Sequence, residues 1–439
     1  MRESDPAALP LAAGEAEGEG ERLPAVGSVC VVGLGYIGLP TAAVLASRGI
    51  EVHGCDVNEK VVETINRGDI HIVEPELDVA VHGAVNSGFL RAGATPQSAD
   101  TFLIAVPTPF KDGHQPDLSY IQAAANAVAP VLEPGNLVIL ESTSPVGATE
   151  QLAGWLAQQR PDLSFPQQAG QKAQIRIAHC PERVLPGNVL RELVDNDRVI
   201  GGMTPECARR ACEFYRTFVS GELVQTDVRT AELCKLSENA FRDVNIAFAN
   251  ELSLLCDRYG IDVWELIELA NRHPRVNILQ PGPGVGGHCI AVDPWFIISH
   301  APDIARLLRA ARDVNDYKPE YVVTKVREAI KGIKNPVIAC LGLAFKPDVD
   351  DLRESPALQI TGMLAEDQST TIIIVEPNIT QLPASLRERE NVHLDTLQTA
   401  IFRADVVVSL VRHRDFLEEC SNVDIPDRGN LDFVHLFKN

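Results

Sequence analysis

The sequence has no continuous run of the ~18 to 20 apolar residues that a membrane-spanning helix needs, so we expect no segment that crosses a bilayer. It also has little positive charge, since 39 Lys and Arg against 60 Asp and Glu give 39 − 60 = −21. An acidic balance of this size argues against nucleic acid or an anionic membrane surface as a partner. An anionic small ligand would need a pocket where Lys, Arg and backbone N–H groups are gathered locally.

Paired cysteine motifs are missing as well. The ten cysteines are scattered, and none forms a C-x-x-C pair, which argues against zinc ribbons and thioredoxin-type redox motifs. We therefore predict no metal site. The N-terminus has neither the basic flank nor the apolar centre of a signal peptide, so we expect a cytoplasmic protein whose cysteines are thiols.

The sequence divides into stretches with different residue patterns. Residues 1–26 form a low-complexity Ala/Gly/Glu/Pro stretch, which we interpret as a flexible tail. Strand-like apolar runs then alternate with helical segments, which predicts an α/β fold with a parallel, doubly wound sheet. From about residue 204 to 311 the pattern is mainly helical, and 230–259 has no Gly or Pro, which predicts one long helix.

Such a helix cannot bury itself alone, so we expect it to form a dimer seam or the wall of a cleft. Strand-like runs return after residue 336, which predicts a second, smaller α/β unit. The predicted boundaries are a doubly wound domain at 27–215, a central long-helix domain at 216–325 and a smaller Rossmann-like α/β domain at 326–439.

The first motif is a G-x-G-x-x-G formed by Gly33, Gly35 and Gly38 between the first strand and the first helix. In a dinucleotide-binding turn, these glycines allow the tight turn, the close approach of the pyrophosphate and the packing of the helix. Asp56 ends the second strand, 56 − 35 = 21 residues after the central glycine. A carboxylate there binds the ribose hydroxyls and repels a 2′-phosphate, which predicts NAD rather than NADP. The alternative is a plain βα turn with a surface Asp.

The second motif lies on the predicted long helix. Spacings of four and three place Lys235, Asn239 and Arg242 on one face, with Glu238 close by. A Lys beside an Asn can polarise a sugar hydroxyl or stabilise an oxyanion as its charge develops. The alternative is a solvated polar stripe.

The third motif is a glycine-rich loop, residues 280–288, that leads directly into Cys289 and then Asp293. A thiol at the N-terminus of a following helix would have a lowered pKa and react as a thiolate. Asp293 could orient Lys235 or a water molecule. The alternative is a buried structural cysteine.

Together these motifs resemble the nucleotide-sugar 6-dehydrogenases, the UDP-glucose/GDP-mannose dehydrogenase family. The resemblance covers nearly all of residues 27–439 and rests on the Lys-x-x-x-Asn helix, the Gly-Gly-x-Cys loop and a Phe-Lys…Arg-x-Ser-Pro segment at 345–356. It implies an NAD-dependent four-electron oxidation of a UDP-sugar 6-hydroxyl through a cysteine thiohemiacetal and thioester. It also implies that the first domain binds NAD, the third binds the UDP-sugar, and the central helix forms a homodimer.

The resemblance assigns a role to each candidate site residue. Cys289 is the implied nucleophile, Lys235 and Asn239 stabilise the alkoxide-like oxygens, and Asp293 and Glu182 are candidates for positioning water or Lys235. The implied substrate contacts are Arg183, Val184, Lys235, Asn239, Arg242, His273, Arg275, Gly286 and Lys346. The implied NAD contacts are Tyr36, Ile37, Asp56, Thr108, Thr143 and Arg353, in addition to the glycine turn.

Three segments favour the branch of the family that oxidises UDP-N-acetyl-D-mannosamine for polysaccharide precursors. These are residues 181–187, residues 272–277 and His288. UDP-N-acetylglucosamine and UDP-glucose remain alternative substrates. Because Pro186 stands where UDP-glucose dehydrogenases have a second glutamate, a water-activating role for that carboxylate does not transfer. A two-electron β-hydroxyacid-type dehydrogenase and an inactive NAD-binding scaffold are the rival functions.

Overall fold

The computed structural model describes residues 27–185, 187–420 and 429–437. The predicted tail at 1–26 and Pro186 lie outside these described residues. The first unit contains ten strands and eight helices in this part of the chain: β1(Val29–Val32), α1(Gly38–Ser47), β2(Val52–Cys55), α2(Glu59–Asn66), α3(Leu77–Asn86), β3(Leu90–Gly93), β4(Thr101–Ile104), β5(Phe110–Lys111), β6(Gln115–Pro116), α4(Ser119–Val128), β7(Leu137–Leu140), α5(Ala148–Gln159), α6(Pro166–Ala169), β8(Arg176–His179), α7(Val189–Asp195), β9(Arg198–Gly202), α8(Pro205–Tyr215) and β10(Leu223–Asp227).

Eight of these strands form one sheet in the order β10-β9-β8-β7-β4-β1-β2-β3. Every pair in this sheet is parallel except β8 with β9. The central strands are buried throughout, because helices cover both faces. In β1, Val29 and Val31 pack into the core on one face and Cys30 and Val32 into the core on the other. The predicted doubly wound parallel sheet is confirmed.

The expectation of a mainly helical pattern from residue 204 onward is wrong in one place. Residues 223–227 form β10, which pairs with β9 and extends the first sheet beyond the predicted end of that unit at residue 215. This strand lies at the edge of the sheet and is partly exposed, so its sequence lacks the apolar run that marks the buried strands.

The central unit consists of four helices: α9(Val228–Tyr259), α10(Val263–Ala270), α11(Asp293–His300) and α12(Arg306–Ala329). The predicted long helix is confirmed as α9. It starts at Asp227, whose side chain accepts a hydrogen bond from the backbone N–H of Thr230 at 3.0 Å. It ends at Gly260, which adopts the left-handed conformation with φ +67. Helix α12 packs along α9 around a buried ion pair, Arg312 to Asp243 at 2.7 Å.

The third unit follows α12 directly and contains β11(Val337–Leu341), α13(Pro356–Leu364), β12(Thr371–Val375), α14(Ala384–Arg387), β13(Val392–Leu394), α15(Leu397–Arg403), β14(Val406–Ser409), α16(Arg414–Cys420) and β15(Asn430–Asp432). Its strands form a parallel sheet in the order β13-β12-β11-β14-β15, which confirms the predicted smaller α/β unit. Among the residues that the structure describes, no helix is long and apolar enough to cross a membrane.

Candidate active site

The glycine turn after β1 has the geometry that a dinucleotide requires. Gly33 has φ +94, and a Cβ there would lie 2.6 Å from the Ala105 carbonyl oxygen. A Cβ at Gly38 would lie 1.8 Å from the carbonyl oxygen of Gly33, so helix α1 can pack this closely only without a side chain. Gly35, by contrast, faces open space, which is where a pyrophosphate would approach the backbone.

Asp56 follows β2 at the same edge of the sheet. Its Oδ2 accepts a hydrogen bond from the Leu34 backbone N–H at 3.0 Å, and its Oδ1 accepts one from the Asn58 N–H at 2.9 Å. The carboxylate is therefore anchored beside the glycine turn and is partly exposed. This is the position from which a carboxylate binds the adenosine ribose hydroxyls, so the chain's own residues fit NAD.

The remaining predicted NAD contacts lie around this edge. Tyr36 and Ile37 directly precede α1, and Thr108 and Thr143 follow β4 and β7. The Thr108 hydroxyl donates to the Thr143 carbonyl oxygen at 2.5 Å, which ties the two strand ends together. Arg353, from the third unit, places its guanidinium carbon 5.6 Å from the centre of the Tyr36 ring.

Helix α9 and the start of α11 bring three predicted catalytic side chains together. The Asn239 side-chain amide donates to Asp293 Oδ2 at 2.5 Å, and Asp293 is buried. Burial raises the pKa of Asp293 to about 6, although the Asn239 hydrogen bond and the positive charge of Lys235 lower it. Asp293 is therefore bonded to Asn239 and lies close enough to Lys235 for the two charges to interact.

Cys289 lies beside this group, four residues before the start of α11. Its carbonyl oxygen accepts hydrogen bonds from the Val292 and Asp293 N–H groups at 3.0 and 2.9 Å, in the turn that leads into α11. The desolvating surroundings and the Asp293 carboxylate raise the pKa of the Cys289 thiol, while Lys235 lowers it. These surroundings favour the thiol, whereas the sequence predicts a thiolate. Cys289 is nevertheless solvent-exposed, unlike most cysteines in the described chain.

Glu182 approaches the same group from the loop after β8. It is half-buried, and its carboxylate accepts a hydrogen bond from the Val184 N–H. Desolvation raises the pKa of Glu182 to about 7, against the lowering effect of Lys235. A carboxyl group with this pKa can give or take a proton near neutral pH. The neighbouring Arg183 is held by an ion pair to Glu238 on α9 at 2.8 Å.

The glycine-rich loop, residues 280–288, packs against the third unit. A Cβ at Gly286 would lie 2.4 Å from the Glu354 carbonyl oxygen, and one at Gly287 would lie 2.8 Å from the Phe345 ring. These glycines are therefore needed for close packing against the third unit, a role that the sequence did not indicate. Lys346, the predicted substrate contact beside Phe345, is half-buried, with its Nζ 5.6 Å from the centre of that ring.

Two predicted substrate contacts lie in a separate segment of this chain. His273 and Arg275 are exposed in the turn after α10, where the Arg275 N–H donates to His273 Nδ1 at 3.3 Å. Arg242 is also exposed, on the face of α9 that it shares with Lys235.

Three buried glutamates that the sequence did not indicate each accept hydrogen bonds from two backbone N–H groups of a distant segment. Glu74 accepts from Gly187 and Val189, Glu232 from Gly147 and Thr149, and Glu376 from Leu343 and Ala344. Of the three, only Glu232 could be inferred from the local sequence, because it lies one helical turn before Lys235 on the same helix. The other partners are distant in sequence, so spacing does not reveal them.

A dinucleotide-binding turn in the same chain as a Lys, an Asn and an exposed thiol that lie close together is typical of an NAD-dependent dehydrogenase. The sequence matches the UDP-glucose/GDP-mannose dehydrogenase family in three parts: its NAD binding domain over residues 27–219, its central domain over 229–317 and its UDP binding domain over 339–428. The chain belongs to this family and is an oxidoreductase.

Curated relatives extend over most of the chain. A UDP-N-acetyl-D-mannosamine dehydrogenase of Campylobacter jejuni is 63% identical over 391 residues, which cover 89% of this chain and 96% of that protein. An NDP-N-acetyl-D-galactosaminuronic acid dehydrogenase of Ralstonia nicotianae is 64% identical over 389 residues, which cover 89% and 91%. Among solved structures, the UDP-D-ManNAc dehydrogenase of Pyrococcus horikoshii superposes with a TM-score of 0.82 at 38% identity, covering 94% of this chain and 96% of that one.

Proposed function

We propose that this enzyme oxidises UDP-N-acetyl-D-mannosamine to UDP-N-acetyl-D-mannosaminuronic acid in two NAD-dependent steps. The main observation behind the proposal is that Cys289 lies close to Lys235 and Asp293, and to Glu182 in the loop that follows β8 of the dinucleotide-binding sheet. The sequence features of residues 181–187 and 272–277 and the relatives named for this substrate support the choice of sugar.

NAD, when bound at the glycine turn, accepts the hydride in each oxidation. In the first, the sugar 6-hydroxyl loses its proton beside Lys235 and Asn239, whose side chains stabilise the alkoxide-like oxygen. The product is an aldehyde. Cys289 then adds to the aldehyde carbon, forming a C–S bond, while the thiol proton passes to the former carbonyl oxygen.

The resulting thiohemiacetal loses a second hydride and a proton to become a thioester. Water then breaks the C–S bond, which releases the carboxylic acid and restores the thiol. Glu182 and Asp293 are the two carboxyl groups placed to receive protons in these steps, since raised pKa values of about 7 and 6 let them exchange protons at physiological pH. A covalent thiol also prevents escape of the reactive aldehyde.

The test is the yield of NADH per sugar nucleotide, run to completion with excess NAD. We expect two NADH and an acid product from UDP-N-acetyl-D-mannosamine. One NADH would indicate a two-electron dehydrogenase instead. The Ralstonia relative favours an N-acetylgalactosamine nucleotide as a second candidate substrate, so UDP-N-acetylgalactosamine, UDP-N-acetylglucosamine and UDP-glucose are compared at limiting concentration. Faster turnover of any of these would contradict the proposed sugar.

The proposed assembly is a homodimer that forms through α9. One side of this helix exposes large apolar side chains, three of them seven residues apart: Phe241, Phe248 and Leu255. Leu233 and Tyr259 extend this stripe towards the two ends of the helix. An exposed apolar stripe on a long helix is typical of a protein interface. A reducing cytoplasm is the proposed location, because Cys289 must remain a free thiol.

A further inference from the structure

The most informative group that the proposed chemistry does not use is Glu232. Its side chain is buried within the first turns of α9, at 1% exposure. One oxygen accepts hydrogen bonds from the Thr149 N–H at 2.8 Å and from the Thr149 hydroxyl at 2.6 Å, and the other accepts one from the Gly147 N–H at 2.6 Å. Burial raises the pKa of Glu232, while these hydrogen bonds lower it.

The turn that Glu232 holds is the start of α5. Its N-cap residue is Gly147, with φ +92 and no side chain to bind the first N–H groups of the helix. Glu232 supplies that cap from another element, where the positive end of the helix dipole favours a carboxylate. The same turn follows Thr143, which is tied to Thr108 at the strand ends that face the NAD pocket.

Glu232 lies on the same helix, α9, as Lys235 and Asn239. Lys235 lies one turn further along the helix and Asn239 two turns, both on adjoining parts of the same side. The hydrogen bonds of Glu232 therefore connect the helix that carries both side chains to the turn behind the NAD pocket. The connection fixes how far Lys235 and Asn239 lie from the strand ends at Thr108 and Thr143.

We propose that Glu232 is a positioning residue for hydride transfer: its cap on α5 sets the distance between the Lys235–Asn239 pair and the nicotinamide end of the cofactor pocket. This inference rests on the proposed function. Glu232 is buried and its carboxylate is bonded to Gly147 and Thr149, so we do not expect it to touch a ligand. Its loss should therefore slow the reaction of bound ligands without weakening their binding.

The test is Glu232→Gln, which keeps the size of the side chain but turns an NH2 group towards backbone N–H donors. We measure kcat, the KM values for NAD and UDP-sugar, and the isotope effect with substrate deuterated at C6. We expect kcat to fall by about tenfold or more, because a displacement of ~1 Å can cost as much as 100-fold. Both KM values should stay within about twofold, and the isotope effect should increase as hydride transfer becomes limiting.

Thr149→Val is a second, milder variant, in case Glu232→Gln folds poorly. It removes only the hydroxyl hydrogen bond and keeps both backbone ones, so kcat should fall less while the KM values again remain unchanged. Glu376→Gln is the matched control. It removes an equally buried glutamate that accepts the Leu343 and Ala344 N–H groups at 2.7 and 3.0 Å, on the side of the third unit. It should raise KM for the UDP-sugar and leave the isotope effect unchanged.

Three results would overturn the proposal while leaving the proposed function intact. The first is a wild-type kcat in Glu232→Gln. The second is a rise in both KM values of Glu232→Gln with an unchanged isotope effect. The third is a fall in kcat in Glu376→Gln as large as that in Glu232→Gln. A wild-type enzyme that forms no NADH with any UDP-sugar would instead overturn the proposed function itself.

Discussion

The guanidinium of Arg353 lies over the ring of Tyr36, with 5.6 Å between the guanidinium carbon and the ring centre. These residues come from opposite ends of the chain: Tyr36 belongs to the glycine turn of the first sheet, and Arg353 precedes α13 of the third unit. Asp351 orients the guanidinium through three hydrogen bonds, at 2.9, 3.1 and 2.6 Å. The third unit thus contacts the glycine turn of the dinucleotide-binding unit.

Arg353→Ala should therefore weaken NAD binding, although the residue lies outside the dinucleotide-binding unit. An exposed cation–π contact contributes about 0.5 to 1 kcal/mol, so we expect KM for NAD to rise by roughly two- to fivefold. Arg403→Ala, an exposed arginine at the end of α15, is the control and should leave KM for NAD unchanged. An unaltered KM in Arg353→Ala would show that the contact does not contribute to cofactor binding.

Cys289→Ser should abolish acid production. An alkoxide is a poorer leaving group than a thiolate, and serine at this position has no strong base to activate it, so the covalent second oxidation should fail. Acid and aldehyde are measured separately, by chromatography and by trapping the aldehyde with a hydrazine. Cys256→Ser, a change at a buried cysteine on α9, is the control and should still form acid. Undiminished acid formation by Cys289→Ser would remove this thiol from the mechanism.

Much of the architecture could be predicted because it follows local patterns. The apolar runs at β1, β4 and β7, the absence of Gly and Pro in α9 and the glycine spacing after β1 each reflect one segment's own chemistry. Strand β10 could not be predicted in this way, because its sequence includes Gln, Thr and Asp and its pairing depends on β9 elsewhere in the chain.

The sequence indicated which residues are candidates for the site, but it did not indicate how they are arranged in space. Spacing placed Lys235 and Asn239 on one helix face, yet it gave no sign that Glu232 binds Gly147, 85 residues away. The surroundings of Cys289 show the same limit. The loop sequence does not reveal that a buried carboxylate lies beside the thiol and raises its pKa.

Glu182 should make the stability of the protein depend on pH. Its pKa is raised from 4.5 to about 7, so the folded state binds a proton more tightly than the unfolded state. This contribution is fully present below about pH 4.5 and is lost as the pH rises through 7. A shift of this size corresponds to at most ~3 kcal/mol, so Glu182→Gln should be more stable than the wild type at pH 8.

Chemical denaturation at pH 4.5 and pH 8 checks this expectation. The two proteins should differ least at the lower pH, since Glu182 is then neutral in the folded state and about half protonated in the unfolded state. A Glu182→Gln variant that is less stable than the wild type at pH 8 would contradict the raised pKa. The surface variant Glu251→Gln on α9 should show no such pH-dependent difference.

The double change Phe241→Arg with Phe248→Arg should separate the proposed dimer into monomers. Two arginines from each copy would face one another across a symmetric seam, and the charge repulsion adds to the loss of apolar burial. Light scattering after size exclusion measures the mass. Phe402→Arg is the control, because this side chain is 90% exposed on α15 and lies away from the stripe on α9. A double variant that keeps the dimer mass would place the interface elsewhere.

Gly287→Ala should reduce both stability and catalytic activity, because the backbone conformation and the close packing at this position each require glycine. Its φ is +83, which an L side chain rarely adopts, and an added Cβ would lie 2.8 Å from the Phe345 ring. We expect a loss of about 2 kcal/mol or more in the free energy of unfolding, together with a lower kcat, because the loop carries Cys289. Gly83→Ala is the matched change: this glycine lies within α3 with nothing near its missing Cβ, so alanine should stabilise the protein by about 0.5 to 1 kcal/mol. Equal effects of the two substitutions would mean that contact between the glycine-rich loop and the third unit does not hold the thiol in place.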